Sequence, residues 1–133
     1  MTAYVESSGL VKRYVAEEGS DLLESAMDRA DALAICRIGF VETARAIGLA
    51  GDEQDVKKFE AEWEWFDVID VDQALAERAA ALALSHGLRT LDALHLAAAL
   101  ELESGDVTFV TWDRRLHQAA CAEGLTVLPE TLT

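Results

Sequence analysis

The run Arg89-Thr90-Leu91-Asp92-Ala93-Leu94-His95-Leu96-Ala97-Ala98-Ala99-Leu100 has the composition of a buried helix, yet it holds a carboxylate and an imidazole. Asp92 and His95 stand three residues apart, so on a helix they share a face. Burying an unpartnered carboxylate is costly, so Asp92 needs a reason: a helix-end cap, an ion pair or a metal site. Three other acids are candidates to join it. Glu6 directly follows Ala3-Tyr4-Val5, and Asp113 closely follows Val107-Thr108-Phe109-Val110-Thr111. Glu42 has a mostly small and apolar helical neighbourhood in Ile38, Gly39, Ala46 and Leu49, with Arg45 three residues on. Four carboxylates in one pocket would repel one another, raise each other's pKa values and titrate as a set. A divalent cation reverses that penalty, and oxygen-only donors favour Mg²⁺ or Mn²⁺ over zinc. Metal held this way can activate water and stabilise an in-line displacement at phosphorus, a two-ion version needing ions roughly 3.5–4 Å apart.

Each acid also has an ordinary role open to it. Asp113 suits a helix N-cap. Asp92, two residues after Thr90, complements a helix dipole. Glu42 can pair with Arg45 across one turn, and Glu6 is merely an acid at a strand end. His95 reads as a satisfied core or pocket-wall histidine rather than a ligand. Asp70 and Asp72 also end a strand, so spacing alone leaves an acidic pocket as one reading among several.

The elements that must position these groups alternate along the chain. Residues 3–5 read as a first strand, followed by a helix over about 8–16 and a break at Gly19. Ser20 is placed to cap a helix to about Arg29, and residues 32–35 form the second strand. Helices follow over about 37–49 and 53–65, then a strand over 66–69. Asp72 caps a helix that ends at Gly87, and Thr90 caps the helix described above, which runs to about Glu103. Residues 107–111 make the clearest strand, followed by a helix over about 113–123 and a short strand over 126–128. Such alternation predicts an α/β domain with a mostly parallel central sheet covered on both faces. Ligands of such sheets sit beyond the carboxyl ends of the strands, where Glu6 and Asp113 fall.

Composition narrows the function. The 133 residues are 51% hydrophobic and 27% charged, which is enough for a core and suits one domain over 1–133. No apolar run reaches membrane-spanning length, and Met1-Thr2-Ala3-Tyr4-Val5-Glu6 lacks the basic start of a signal peptide. Cys36 and Cys121 match no metal-ligand spacing, so both are expected to pack as small hydrophobes in a reducing, cytoplasmic setting. A formal charge of −14 argues against a broad basic surface for nucleic acid. Any nucleic acid would be held locally, by a few arginines and by cations offsetting carboxylates. The only lysines are Lys12, Lys57 and Lys58. None follows a late strand, which removes a phosphorylated receiver domain. The first strand lacks a G-x-G-x-x-G turn, which removes a dinucleotide enzyme.

Four stretches together resemble a PIN domain of the VapC toxin type. Tyr4-Val5-Glu6-Ser7-Ser8-Gly9-Leu10-Val11-Lys12 is similar to the family's opening Y-x-D-[ST]-S-A-L-x-K, and Phe40-Val41-Glu42-Thr43-Ala44-Arg45 to its second acidic motif. Leu88-Arg89-Thr90-Leu91-Asp92-Ala93-Leu94-His95-Leu96-Ala97 is similar to L-R-x-x-D-A-L-H-L-A, the most specific of the four. Thr108 to Leu116 resembles the closing strand, T-x-D and helix. Order and spacing match over essentially the whole chain.

The resemblance implies a three-layer α/β/α PIN-like fold and a Mg²⁺- or Mn²⁺-dependent endoribonuclease, the toxin of a VapBC-type pair. By position, Glu6, Glu42, Asp92 and Asp113 would form the catalytic acids, with Glu6 and Asp92 in direct metal contact. Ser8 and Thr111 would steady the carboxylates, and Arg89, Arg114 and Arg115 are candidates for phosphate contact. Implied partners are RNA, a cognate VapB-like antitoxin and a second copy of the chain. An antitoxin of this type would bring an apolar helix and an arginine that reaches the acidic pocket. Val56, Phe59, Trp63 and Phe66 make a stripe that would seat such a helix or else pack in the core, and Trp65 falls on the opposite face. Glu6 departs from the family's usual aspartate. Its extra methylene carries the carboxylate about one carbon–carbon bond further out, where Mg²⁺ demands near-ideal octahedral geometry. The alternative is therefore a catalytically weakened PIN module that acts mainly by binding a partner protein or RNA.

Overall fold

The computed structural model describes residues 1–102 and 105–132. Five strands, β1 (Thr2–Val5), β2 (Ala32–Cys36), β3 (Phe66–Ile69), β4 (Val107–Val110) and β5 (Thr126–Leu128), form one sheet in the order β3-β2-β1-β4-β5. Every pairing is parallel, with Tyr4 opposite Ala34 on one side and Phe109 on the other. Among the described residues seven α-helices connect the strands: α1 (Ser7–Leu10), α2 (Ser20–Arg29), α3 (Ile38–Ala50), α4 (Glu53–Glu62), α5 (Gln73–His86), α6 (Thr90–Glu101) and α7 (Arg114–Ala122).

Alternation along the strands divides the core into two layers. Tyr4, Ala34, Cys36 and Phe109 pack with α5, α6 and α7 through Leu75, Leu82, Leu96 and Leu116. Ala3, Val5, Ile35 and Val110 face the other way, against Leu10, Leu23, Ile47 and Phe59. Helices therefore cover both faces of a parallel sheet, the three-layer α/β/α arrangement expected. Among the described residues no helix is long and apolar enough to cross a membrane.

Local departures have physical reasons. The helix expected over 8–16 shrinks to the single turn of α1 plus a 3₁₀ turn at Val11–Arg13. Gly9, a weak helix former, lies against Trp112, and the Lys12 carbonyl accepts from the Ser20 hydroxyl rather than from a further turn. Ser20 thus does not cap α2. Gly19 holds that position at φ +94°. An added Cβ there would meet the Trp112 ring at 2.8 Å. Thr90 does not cap α6 either. Arg89 occupies the cap position in extended backbone, with its side chain turned elsewhere. Asp72 and Asp113 do cap, accepting from the Leu75 and Leu116 amides. The end expected for α6, Glu103, lies outside the described residues. Cys36 is buried, but Cys121 is exposed on α7 and is not a packed hydrophobe. Phe59 and Phe66 are buried, with Trp63 stacked on Phe66 and meeting Phe40 and Phe59 edge to face. Most of that aromatic stripe is therefore core, whereas Trp65 is 49% exposed beneath the Arg13 guanidinium.

Candidate active site

The strand order reverses direction at β1 and β4, the position where parallel sheets open a crevice beyond their carboxyl ends. Glu6 follows β1 there, and Thr111 and Asp113 follow β4. Glu6 takes extended backbone and caps α1 with its own side chain, accepting the Ser8 amide at Oε1 (3.1 Å). Its Oε2 accepts from both the Ser8 and Thr111 hydroxyls, the latter at 2.8 Å. Each hydroxyl in turn accepts a backbone N–H, Ser8 from Trp112 at 2.8 Å and Thr111 from Asp113 at 3.1 Å. Ser8 and Thr111 thus clamp Glu6 between the ends of β1 and β4. Burial pushes the Glu6 carboxyl above the ordinary glutamate range, while His95, the two hydroxyls and the Ser8 amide draw it part of the way back.

Asp92 lies in the first turn of α6, where the dipole favours it, and its residue is only 8% exposed. Arg89 Nε donates to Asp92 Oδ2 at 3.1 Å, and the same guanidinium reaches Asp113 Oδ2 at 3.3 Å. Burial raises the Asp92 carboxyl; Arg89 opposes that shift, the Asp113 charge adds to it, and His95 lowers it again. Asp113 divides its oxygens, one capping α7 through Leu116 and the other facing Arg89.

Glu42 makes no pair with Arg45. It accepts from Ser7 at 2.8 Å and meets His95 Nε2 at 2.5 Å. His95 is fully buried, with Nδ1 2.7 Å from the Tyr4 hydroxyl, which itself accepts the Cys36 amide at 2.9 Å. One assignment satisfies every group: Cys36 N–H to Tyr4 Oη, Tyr4 O–H to Nδ1, and Nε2–H to Glu42. His95 is thus a satisfied, fully buried histidine, one of the two roles expected of it, and it also orients Glu42. Burial alone would raise the Glu42 carboxyl, but His95, Ser7 and Arg89 outweigh it and hold the group below the ordinary range.

The acids are thus linked rather than massed. Thr111 joins the Glu6 carboxylate to the Asp113 backbone amide, Arg89 joins the Asp113 and Asp92 carboxylates, and His95 sits behind Glu42. Among the described residues no three His, Cys, Asp or Glu side chains stand close enough to hold one ion. The donor set is nevertheless all carboxylate oxygen, and burial together with the Asp113 charge disfavours ionisation of Asp92. A hard divalent cation would relieve that conflict; the Arg89 guanidinium relieves part of it. The parts that sequence spacing did not bring forward were Ser7, Tyr4 as the support of His95, and Arg89 as a bridge. Tyr4 and Arg89 both lie inside motif stretches, but no local pattern shows where their polar atoms turn.

Comparison with known proteins gives the family. The family model for the PIN domain matches residues 3–121. Ribonuclease VapC45 of Mycobacterium tuberculosis is 33% identical over 138 residues, covering 97% of this chain and 96% of the relative. Ribonuclease VapC3 of Pyrobaculum aerophilum is 29% identical over 126 residues, covering 89% and 94%. A toxin–antitoxin complex from Klebsiella pneumoniae shares the fold, with a TM-score of 0.75 at 19% identity over 98% of this chain and 99% of that one. This chain belongs to the PIN-domain family, within its VapC-type toxins of toxin–antitoxin systems.

Proposed function

We propose that the chain, as one PIN domain, is an endoribonuclease that hydrolyses RNA phosphodiesters and serves as the toxin of a VapBC-type pair, restrained by a cognate VapB-like antitoxin. The observation that carries this reading is the linkage of Glu6, Asp92 and Asp113 beyond the carboxyl ends of β1 and β4. Mg²⁺ or Mn²⁺ would be held by Glu6 and Asp92, with Asp113 and Glu42 completing the acidic set. The chemistry such an ion supplies is Lewis acidity toward water and a phosphoryl oxygen.

The chain's own residues do the rest. Ser8 and Thr111 fix the Glu6 carboxylate against rotation. The Tyr4–His95 pair keeps Glu42 ionised and aimed from α3, so that Glu42 can orient a water or take its proton. Arg89 offsets charge between Asp92 and Asp113 and is exposed enough to swing toward a phosphate. Purified protein incubated with RNA in Mg²⁺ or Mn²⁺ should cleave it, and EDTA should stop cleavage. Cleavage indifferent to EDTA would overturn the assignment.

A weakened module that works by binding a partner is favoured by one observation. Both Glu6 oxygens are already engaged by Ser8 and Thr111. If that reading holds, Glu6→Asp gains substantial metal-dependent activity; robust wild-type cleavage left unchanged by Glu6→Asp removes it.

A further inference from the structure

In a chain of formal charge −14, three arginines gather beside the acidic crevice. Arg89, Arg114 and Arg115 line, with Asp113, a cleft of about 380 Å³. Arg115 also lines the adjoining cleft of about 470 Å³, whose wall includes His86 and Gln118. Arg115 lines both clefts, so they meet at the start of α7, with Asp113 on one side and the end of α5 on the other. Arg89, Arg114, Arg115 and Gln118 are all exposed. Asp92 and Asp113 partly answer Arg89, whereas Arg114 and Arg115 make no ion pair among the described residues. Lys12, Arg13 and Arg37, by contrast, are each paired with a carboxylate. At the far end His86 is held by Glu123 at 2.8 Å, so an acid closes the basic stretch there.

We propose that this trough holds the phosphates of a single RNA strand next to the bond to be cut. Arg114 and Arg115 each take a phosphate, and Gln118 is placed to reach a base edge or ribose hydroxyl. This rests on the ribonuclease reading above and adds the side from which the strand runs. Guanidinium forks match phosphate oxygens, and two unpaired ones beside a carboxylate pocket suit an anion lying across them. A single strand fits a short, narrow basic stretch, whereas a duplex would press against the surrounding acidic surface. An acidic peptide would seek the same guanidiniums without needing their continuity with Asp113.

The test measures binding of a short, fluorescein-labelled, mixed-sequence single-stranded RNA by anisotropy in Mg²⁺, over a range of KCl concentrations. An Asp92→Asn background lets binding be read without hydrolysis. Two phosphate contacts give a slope of log K against log salt near −1.4, at about 0.7 per contact on single strands. Arg114→Gln and Arg115→Gln should each lower its magnitude by about 0.7 and weaken binding alike across sequences. Arg78→Gln, whose side chain turns to the Leu100 carbonyl at the other end of α6, should leave it unchanged. An unchanged slope in both trough variants overturns the proposal, and so does a polyglutamate peptide that displaces the RNA at lower concentration. Cleavage by the wild-type chain is scored separately. Arginine-dependent binding without cleavage supports the trough and removes the ribonuclease reading.

Discussion

Replacing Tyr4 by Phe deletes one oxygen from the centre of the molecule and keeps the ring. That oxygen accepts the Cys36 amide at 2.9 Å and meets His95 Nδ1 at 2.7 Å, in a site with no measurable exposure at Tyr4, Cys36 or His95. The Phe ring still stacks on Phe109, whose centroid lies 5.2 Å away, so apolar packing changes little. The cost comes from two buried polar atoms left without partners, each about 1–3 kcal/mol, for a loss of about 2–6 kcal/mol. Against a total of roughly 5–15 kcal/mol, that is a large fraction. Urea unfolding followed by tryptophan fluorescence should show a lower midpoint at unchanged m-value. Activity should fall as well, because His95 loses the partner that fixes its tautomer and Glu42 loses its aim. A loss below about 1 kcal/mol would refute the continuous Cys36–Tyr4–His95–Glu42 chain of bonds.

Other consequences are equally direct. Thr111→Val removes a donor from Glu6 Oε2 and an acceptor from the Asp113 amide at nearly constant shape. Mn²⁺ affinity by calorimetry should fall about 10–100-fold, as it does when support of a metal ligand is lost. Gly39→Ala would set a Cβ 2.5 Å from Ile35 Cδ1 and 3.3 Å from His95 Cε1, so overpacking should cost about 1–3 kcal/mol by chemical denaturation. Glu62 accepts from Arg13 and from Tyr14, and although burial opposes it, these bonds hold its carboxyl below the ordinary glutamate range. Its contribution to stability is therefore full above the unfolded value of about pH 4.3 and is lost as pH falls through the lower folded value. Urea midpoints measured from neutral to acid pH should decline less steeply there in Glu62→Gln than in the parent.

Hydrophobic alternation reveals strands wherever a buried run meets turn residues, so all five strands were legible to within a residue or two, as were the caps at Asp72 and Asp113. These signals are local, and the structure agrees with them because β-strand periodicity and cap chemistry act within a few residues. What local reading missed depended on distant partners. Ser20 looked like a cap until the Lys12 carbonyl claimed its hydroxyl. Arg45 sat one turn from Glu42, yet Ser7 and His95, from other elements, took the carboxylate. Thr90 had cap chemistry, but α6 begins at Thr90 itself and Arg89 holds the cap position, its side chain turned to two acids, one of them 24 residues away. Spacing alone left Asp70 and Asp72 beside the four acids, which only the resemblance singled out, whereas the hydroxyl clamp on Glu6 exists only because β1 and β4 lie side by side.

In the proposed function, Glu6 and Asp92 together hold the ion on which RNA hydrolysis depends. Single-turnover cleavage of RNA as a function of Mn²⁺ concentration, in the parent and in Asp92→Asn, tests it most directly. A parent rate that rises and saturates with Mn²⁺, together with an Asp92→Asn rate near background at every concentration, is the predicted result. An Asp92→Asn chain that cleaves at the parental rate with the same Mn²⁺ dependence would contradict it.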